Sequence, residues 1–114
     1  MNDHAAQHQP ADLAGLATDL LAQAGSATAR RASRTLISGA AQRATLTVLL
    51  KDAELGEHFA PPAASLQVIS GEVELCVGER RQPIRAGELV AVPRQRHGLR
   101  ALTDAAILLT VAVD

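Results

Sequence analysis

GEHFAPPAASLQVISG, residues Gly56 to Gly71, and GELVAVPRQRHGL, residues Gly87 to Leu99, decide the fold of this chain. Each stretch opens on a glycine and carries one histidine, His58 in the first and His97 in the second. In both, a short apolar run is cut by a turn residue: Leu66-Gln67-Val68-Ile69 stops at Ser70-Gly71, and Leu89-Val90-Ala91-Val92 stops at Pro93. The same rhythm continues around them. Val73-Glu74-Leu75-Cys76-Val77 alternates and ends at Gly78; Gly78-Glu79-Arg80-Arg81 reads as a hairpin tip; Pro83-Ile84-Arg85 is a brief strand before Ala86-Gly87. Ala105 to Val113 is a final apolar strand. Upstream, Thr35 to Ser38 and Ala44 to Leu50 are rich in branched residues and read as strands. Many short strands at regular spacing, separated by Gly or Pro turns, predict an all-β sandwich or barrel.

Ahead of the strands the pattern differs. Residues 1–10 are polar and small and read as a disordered N-terminus. Residues 11–25 predict a short helix, opened by Pro10 or Asp12, with Leu13, Leu16, Leu20 and Leu21 at helical spacing and Gly25 as its C-cap. Its stripe is expected to pack on the outside of the barrel at 30–114, the alternative being a partner-binding amphipathic helix.

Composition narrows the function. With 114 residues the chain is one domain, and its net charge of -1 gives no global field for nucleic acid or an anionic membrane. Phe59 is the sole aromatic residue, so recognition by stacking on sugar rings or nucleobases loses weight. Arg30, Arg31, Arg34 and Arg43 form a basic group without interleaved aromatics, a poor basis for nucleic-acid binding. Cys76 has no second cysteine to pair with, and no signal stretch or transmembrane run is read. The expectation is a soluble, cytoplasmic protein in which Cys76 is structural, since no local base or cation would activate it.

The segment from Leu46 to Val113 resembles the cupin superfamily, specifically the small single-domain RmlC-like members. Glu57-His58 matches the start of the family's first motif and Val68-Ile69-Ser70-Gly71-Glu72 its closing strand and turn; Ala86-Gly87-Glu88, Pro93 and His97 match the second motif in order. The resemblance implies an antiparallel jelly-roll barrel. It also implies where metal ligands would fall: on His58, Ala60, Ala64 and His97, of which the alanines have no donor atom. Pro93 to His97 is one residue shorter than the family spacing, and Gln95 stands where Gly is common.

A catalytic metal needs about three protein ligands. Beyond His58 and His97 the third donor would be Gln67, Glu57 or Glu72, although strand alternation sends Gln67 outward unless Pro61-Pro62 shifts the register. Arg94 and Arg96, with Arg85 and Arg100 nearby, are read as a positive rim on one side of a local strand, suited to a small anion, or as a solvated face. His58, His97, Gln67, Arg94 and Arg96 are therefore the candidate pocket residues. The leading expectation is a non-catalytic module that binds or senses a small ligand, anionic where the arginine rim takes part, with no cofactor. The alternative is a metal-dependent enzyme of dioxygenase or isomerase type holding Fe, Mn, Ni or Zn on a reduced ligand set at His58 and His97. A C2 homodimer is also expected, with Thr45, Thr47 and Leu49, or Ala106 and Leu108, as outward contact surfaces.

Overall fold

The computed structural model describes residues 8–58 and 63–113, with the side chains of 57 and 58 outside that set. The reading of residues 1–7 as disordered, and the positions of Phe59, Ala60 and Pro61-Pro62, lie outside the described residues.

Helix α1 spans Leu13–Ser26. Asp12 is its N-cap, not a first-turn residue: its carboxylate accepts the Gly15 N–H at 3.1 Å, satisfying one of the donors a helix start leaves open. Gly25 lies inside the helix. The chain turns out at Ala27, in extended conformation, whose N–H donates to the Ala24 carbonyl.

Nine strands follow: β1 Arg31–Ser38, β2 Gln42–Leu49, β3 Glu54–His58, β4 Ala64–Ser70, β5 Glu72–Val77, β6 Arg80–Arg85, β7 Leu89–Ala91, β8 His97–Ala101 and β9 Ala105–Ala112. They form a five-stranded sheet, β1-β2-β9-β4-β7, and a four-stranded sheet, β3-β8-β5-β6, with antiparallel neighbours throughout. The all-β architecture agrees with the hairpin rhythm, the short N-terminal helix with the leucine spacing, and the jelly-roll arrangement with what the family resemblance implies. The two inner faces meet in one core, where Leu49, Leu66, Val68, Ile107, Val73, Leu75, Ile84 and Leu99 are buried.

The second cluster explains the helix. Leu20 and Ala24 are fully buried against Leu46, Val48 and Ala106, so α1 covers the outer face of β2 and β9. This overturns the expected contact surface. Thr47 stands opposite Ile107, and Thr45 opposite Leu109, on the face that looks into the barrel; Leu49 shares that face and is part of the core. Ala106 lies under the helix. Both faces of β2 are covered, so its run from Leu46 to Leu49 is buried at every position.

Two strands, β3 and β8, were not evident from periodicity, and β1 starts four residues before Thr35. The hairpin tip is also shorter than expected. Only Gly78, at φ +60°, and Glu79 form the turn, and Arg80 already pairs with Val77 in β6.

Candidate functional site

His97 is the first residue of β8. Two positions before Leu99, it shares the inward face of that strand and is 6% exposed. Its Nδ1 lies 3.0 Å from the Gln95 carbonyl oxygen. A carbonyl can only accept, so Nδ1 carries the hydrogen and the ring orientation is fixed by its own loop. Antiparallel pairing of β3 with β8 places the backbone of His58 directly opposite His97, after a register shift between Leu55 and His58. The structure thus brings together the two histidine segments that lie far apart in sequence.

Around His97 the barrel is nearly filled. The space left there is about 30 Å³, bounded by Leu55, Leu66, Leu75, Val92, Leu99, Ile107 and Leu109. That is room on the scale of one water molecule, in a wall that is aliphatic among the described residues apart from His97.

Two of the other proposed donors, Gln67 and Glu72, lie elsewhere, and the side chain of the third, Glu57, lies outside the described residues. Gln67 is exposed on β4, opposite Leu89 and Leu108, on the outer side of the five-stranded sheet. Glu72 faces the outside of the other sheet, with its carboxylate 3.5 Å from Arg85 Nε. Among the described residues no three His, Cys, Asp or Glu side chains converge on a point. The described residues place one imidazole, His97, in this aliphatic pocket, and the side chains of the candidate donors Glu57 and His58 lie outside them.

The arginines divide in two. Arg85 pairs with Glu72, and Arg100 with Asp52 at 3.4 Å, both outside the four-stranded sheet; neither forms a rim around His97. Arg94 and Arg96 lie exposed in the loop between β7 and β8, not on a strand, because Pro93 ends the ladder. They flank Gln95, whose carbonyl holds His97.

That loop forms one wall of a much larger space. β6 is the edge of one sheet and the three-residue β7 the edge of the other. Where these edges part, a cleft of about 480 Å³ opens beside His97. Leu75 and Val77 form its floor, Arg80, Gln82 and Pro83 one wall, and Ala91, Pro93 and Gln95 the other, with Arg81 at its margin. Strand alternation makes this wall. Ile84 pairs with Val73 and is buried; Gln82 pairs with Leu75 and Arg80 with Val77, on the same face but progressively nearer solvent. Arg80, Gln82 and Gln95 were not singled out from sequence, although counting back by twos from Ile84 reaches Gln82 and Arg80.

Cys76 is half-buried on the outer face, its thiol directed at the Glu74 carboxylate at 3.8 Å. Burial first, and then the Glu74 charge, push its pKa up, which keeps the thiol protonated. A second concavity, about 360 Å³, lies between α1 and the sheet beneath it, lined largely by small and aliphatic side chains such as Ala14, Ala17, Leu21 and Ile69. No helix among the described residues is long and apolar enough to cross a membrane.

Neither a protein-family model nor a curated protein matches the sequence. Solved structures do match. A conserved protein of unknown function from Streptococcus pyogenes aligns with TM-score 0.69 at 26% identity, over 77% of this chain and 78% of that one. A cupin superfamily protein from Desulfitobacterium hafniense aligns with TM-score 0.69 at 13% identity, over 74% and 78%. An RmlC-like cupin with a double-stranded β-helix fold from Methanocaldococcus jannaschii aligns with TM-score 0.63 at 17% identity, over 72% and 79%. Two facing antiparallel sheets, the paired histidine strands and these neighbours agree: the chain has the fold of the RmlC-like cupins, a double-stranded β-helix.

Proposed function

We propose that this cupin is a small-ligand binding module whose ligand sits in the cleft between β6 and the β7–β8 loop, beside the barrel interior. One observation carries this: the interior at His97 leaves about 30 Å³, whereas the cleft offers about 480 Å³, within the range that holds small organic ligands. Its chemistry favours binding over bond-making. The polar groups on its walls, Arg80, Gln82 and Gln95, are a guanidinium and carboxamides, which orient a ligand and do not exchange protons near neutral pH. The test is amide chemical-shift mapping of the full chain against small neutral and acidic organic fragments. Shifts should gather at Leu75, Val77, Ala91 and Gln95. Shifts confined to Leu66, Ile107 and Leu109 would put the ligand inside the barrel and end this reading, as would no shifts at all.

A second reading, a metal-dependent enzyme with a reduced ligand set, draws on the register that sets His58 opposite His97. Metal content after incubation with Fe(II), Mn(II), Ni(II) and Zn(II), with a His58→Ala/His97→Ala control, separates the two. A near-stoichiometric ion lost in the control would put the enzyme first.

A further inference from the structure

We propose that the cleft is a carboxylate site, with Arg80 as the anchor for the headgroup and the aliphatic floor holding a short hydrocarbon body. This rests on the reading of the cleft as the ligand site.

The argument begins with the three arginines of β6. Arg81 and Arg85 point to the outer face, and each has a carboxylate: Glu74 at 3.1 Å and Glu72 at 3.5 Å. Arg80 lies on the opposite face by alternation, on the cleft wall, and makes no ion pair with any described residue. Its charge has no counter-ion among the described residues and lies next to apolar surface, where a bound anion gains more than it would in open water.

The facing wall adds to the same sign. Arg94 and Arg96 flank Gln95 and make no ion pair among the described residues either. Of the nearby carboxylates, Glu74 is held by Arg81, and Glu88 accepts the Arg85 backbone N–H at 2.7 Å. Glu79, in the turn next to Arg80, is the acidic group that remains. A chain of net charge -1 thus gathers positive charge at one opening, which draws small anions toward it.

The remaining groups set the class of anion. A planar guanidinium matches a carboxylate through two parallel hydrogen bonds. Gln82 and Gln95, on opposing walls, can donate further N–H groups. Leu75, Val77, Pro83 and Pro93 give a floor and sides that an inorganic anion would leave uncovered and a short aliphatic chain would fill. No aromatic side chain is among the described residues of this lining.

The experiment titrates the full chain, uniformly nitrogen-labelled, with butyrate, hexanoate and succinate, and in parallel with butyramide, hexanamide, succinamide and inorganic phosphate. Saturable shifts at Val77, Gln82 and Gln95 are expected with at least one carboxylate, about tenfold weaker with its amide, and about tenfold weaker in Arg80→Gln at an unchanged melting temperature. Amides that bind as well as acids would leave a ligand cleft but overturn the carboxylate assignment. Phosphate binding as tightly as the acids would overturn the hydrocarbon body. Acid binding that survives Arg80→Gln and is lost in Arg94→Gln/Arg96→Gln would move the headgroup to the loop and overturn the role of Arg80. Silence of these amides toward every compound would overturn both this proposal and the reading beneath it.

Discussion

Gly71 joins β4 to β5 at φ +78°, and a methyl group there would overlap the Asp104 carbonyl oxygen and sit 2.8 Å from the Ala105 Cα. Both obstacles are backbone and cannot rotate away. Gly71→Ala is therefore expected to cost more than about 2 kcal/mol, seen as a lower urea midpoint; a change below about 0.5 kcal/mol would show that this turn relaxes freely. Cys76 makes a second residue-scale prediction. Its raised pKa leaves little thiolate near neutral pH, so alkylation by iodoacetamide should run slower than for a free thiol of the unfolded chain and accelerate only in alkaline buffer. Rapid labelling of the folded protein at pH 7 would contradict the protonated thiol. At this scale the sequence was informative where backbone geometry or donor chemistry leaves no choice. His97 stood out through the family resemblance, which also set Ala60 and Ala64, without donor atoms, at ligand positions. Arg80 could not, because Gly78-Glu79-Arg80-Arg81 is polar throughout and only the pairing with Val77 shows where the turn ends.

The elements divide by whether their apolar residues follow a period. Helix α1 was legible because Leu13, Leu16 and Leu20 fall on one face, yet adjacent leucines have opposite fates. Leu20 is buried under the sheet and Leu21 is 40% exposed. Leu20→Ala should cost roughly 2–5 kcal/mol and Leu21→Ala under about 1 kcal/mol, compared by chemical denaturation; equal losses would mean that the helix is rotated about its axis. β3 and β8 were hidden for the opposite reason. Glu54-Leu55-Gly56-Glu57-His58 and His97-Gly98-Leu99-Arg100-Ala101 each contain one bulky aliphatic residue. They are strands because they pair with each other and β8 pairs with β5, aligning Leu55, Leu99 and Leu75 across the sheet. A local pattern cannot show a strand whose stability comes from neighbours distant in sequence.

For the molecule as a whole, α1 acts as a cover. It closes a patch of β2 and β9 formed by Leu46, Val48 and Ala106, and a variant beginning at residue 28 would leave that patch in water. Such a variant should bind a hydrophobic dye and self-associate, read by fluorescence and light scattering; a monodisperse, dye-negative product would mean the barrel does not need its helix. Of the large exposed aliphatics, Leu21 is on this cover itself, Ile37 on β1, and Leu89, at 67%, on the opposite edge strand β7. Charge is distributed just as unevenly. Outside the four-stranded sheet, acids and arginines neutralise one another in pairs, Glu74 with Arg81, Glu72 with Arg85 and Asp52 with Arg100. Of the described arginines without an ion pair, Arg80 lines the opening between the sheets and Arg94 and Arg96 lie in the β7–β8 loop, while Arg30, Arg31, Arg34 and Arg43 lie at or on β1 and β2.

The β5–β6 hairpin ends in two residues and projects past the core layer closed by Ile84. On β6 the inner-face positions beyond Ile84, Gln82 and Arg80, are exposed and belong to the cleft wall, while Leu75 and Val77 across from them on β5 still pack in the core. Recognition and folding are consequently written on different segments of a single strand. Lengthening both arms of the hairpin by two residues would extend the wall by about 6.6 Å with the register of Val73 and Ile84 untouched. In this barrel a new ligand preference can be acquired at the tip of one hairpin, without renegotiating the interior.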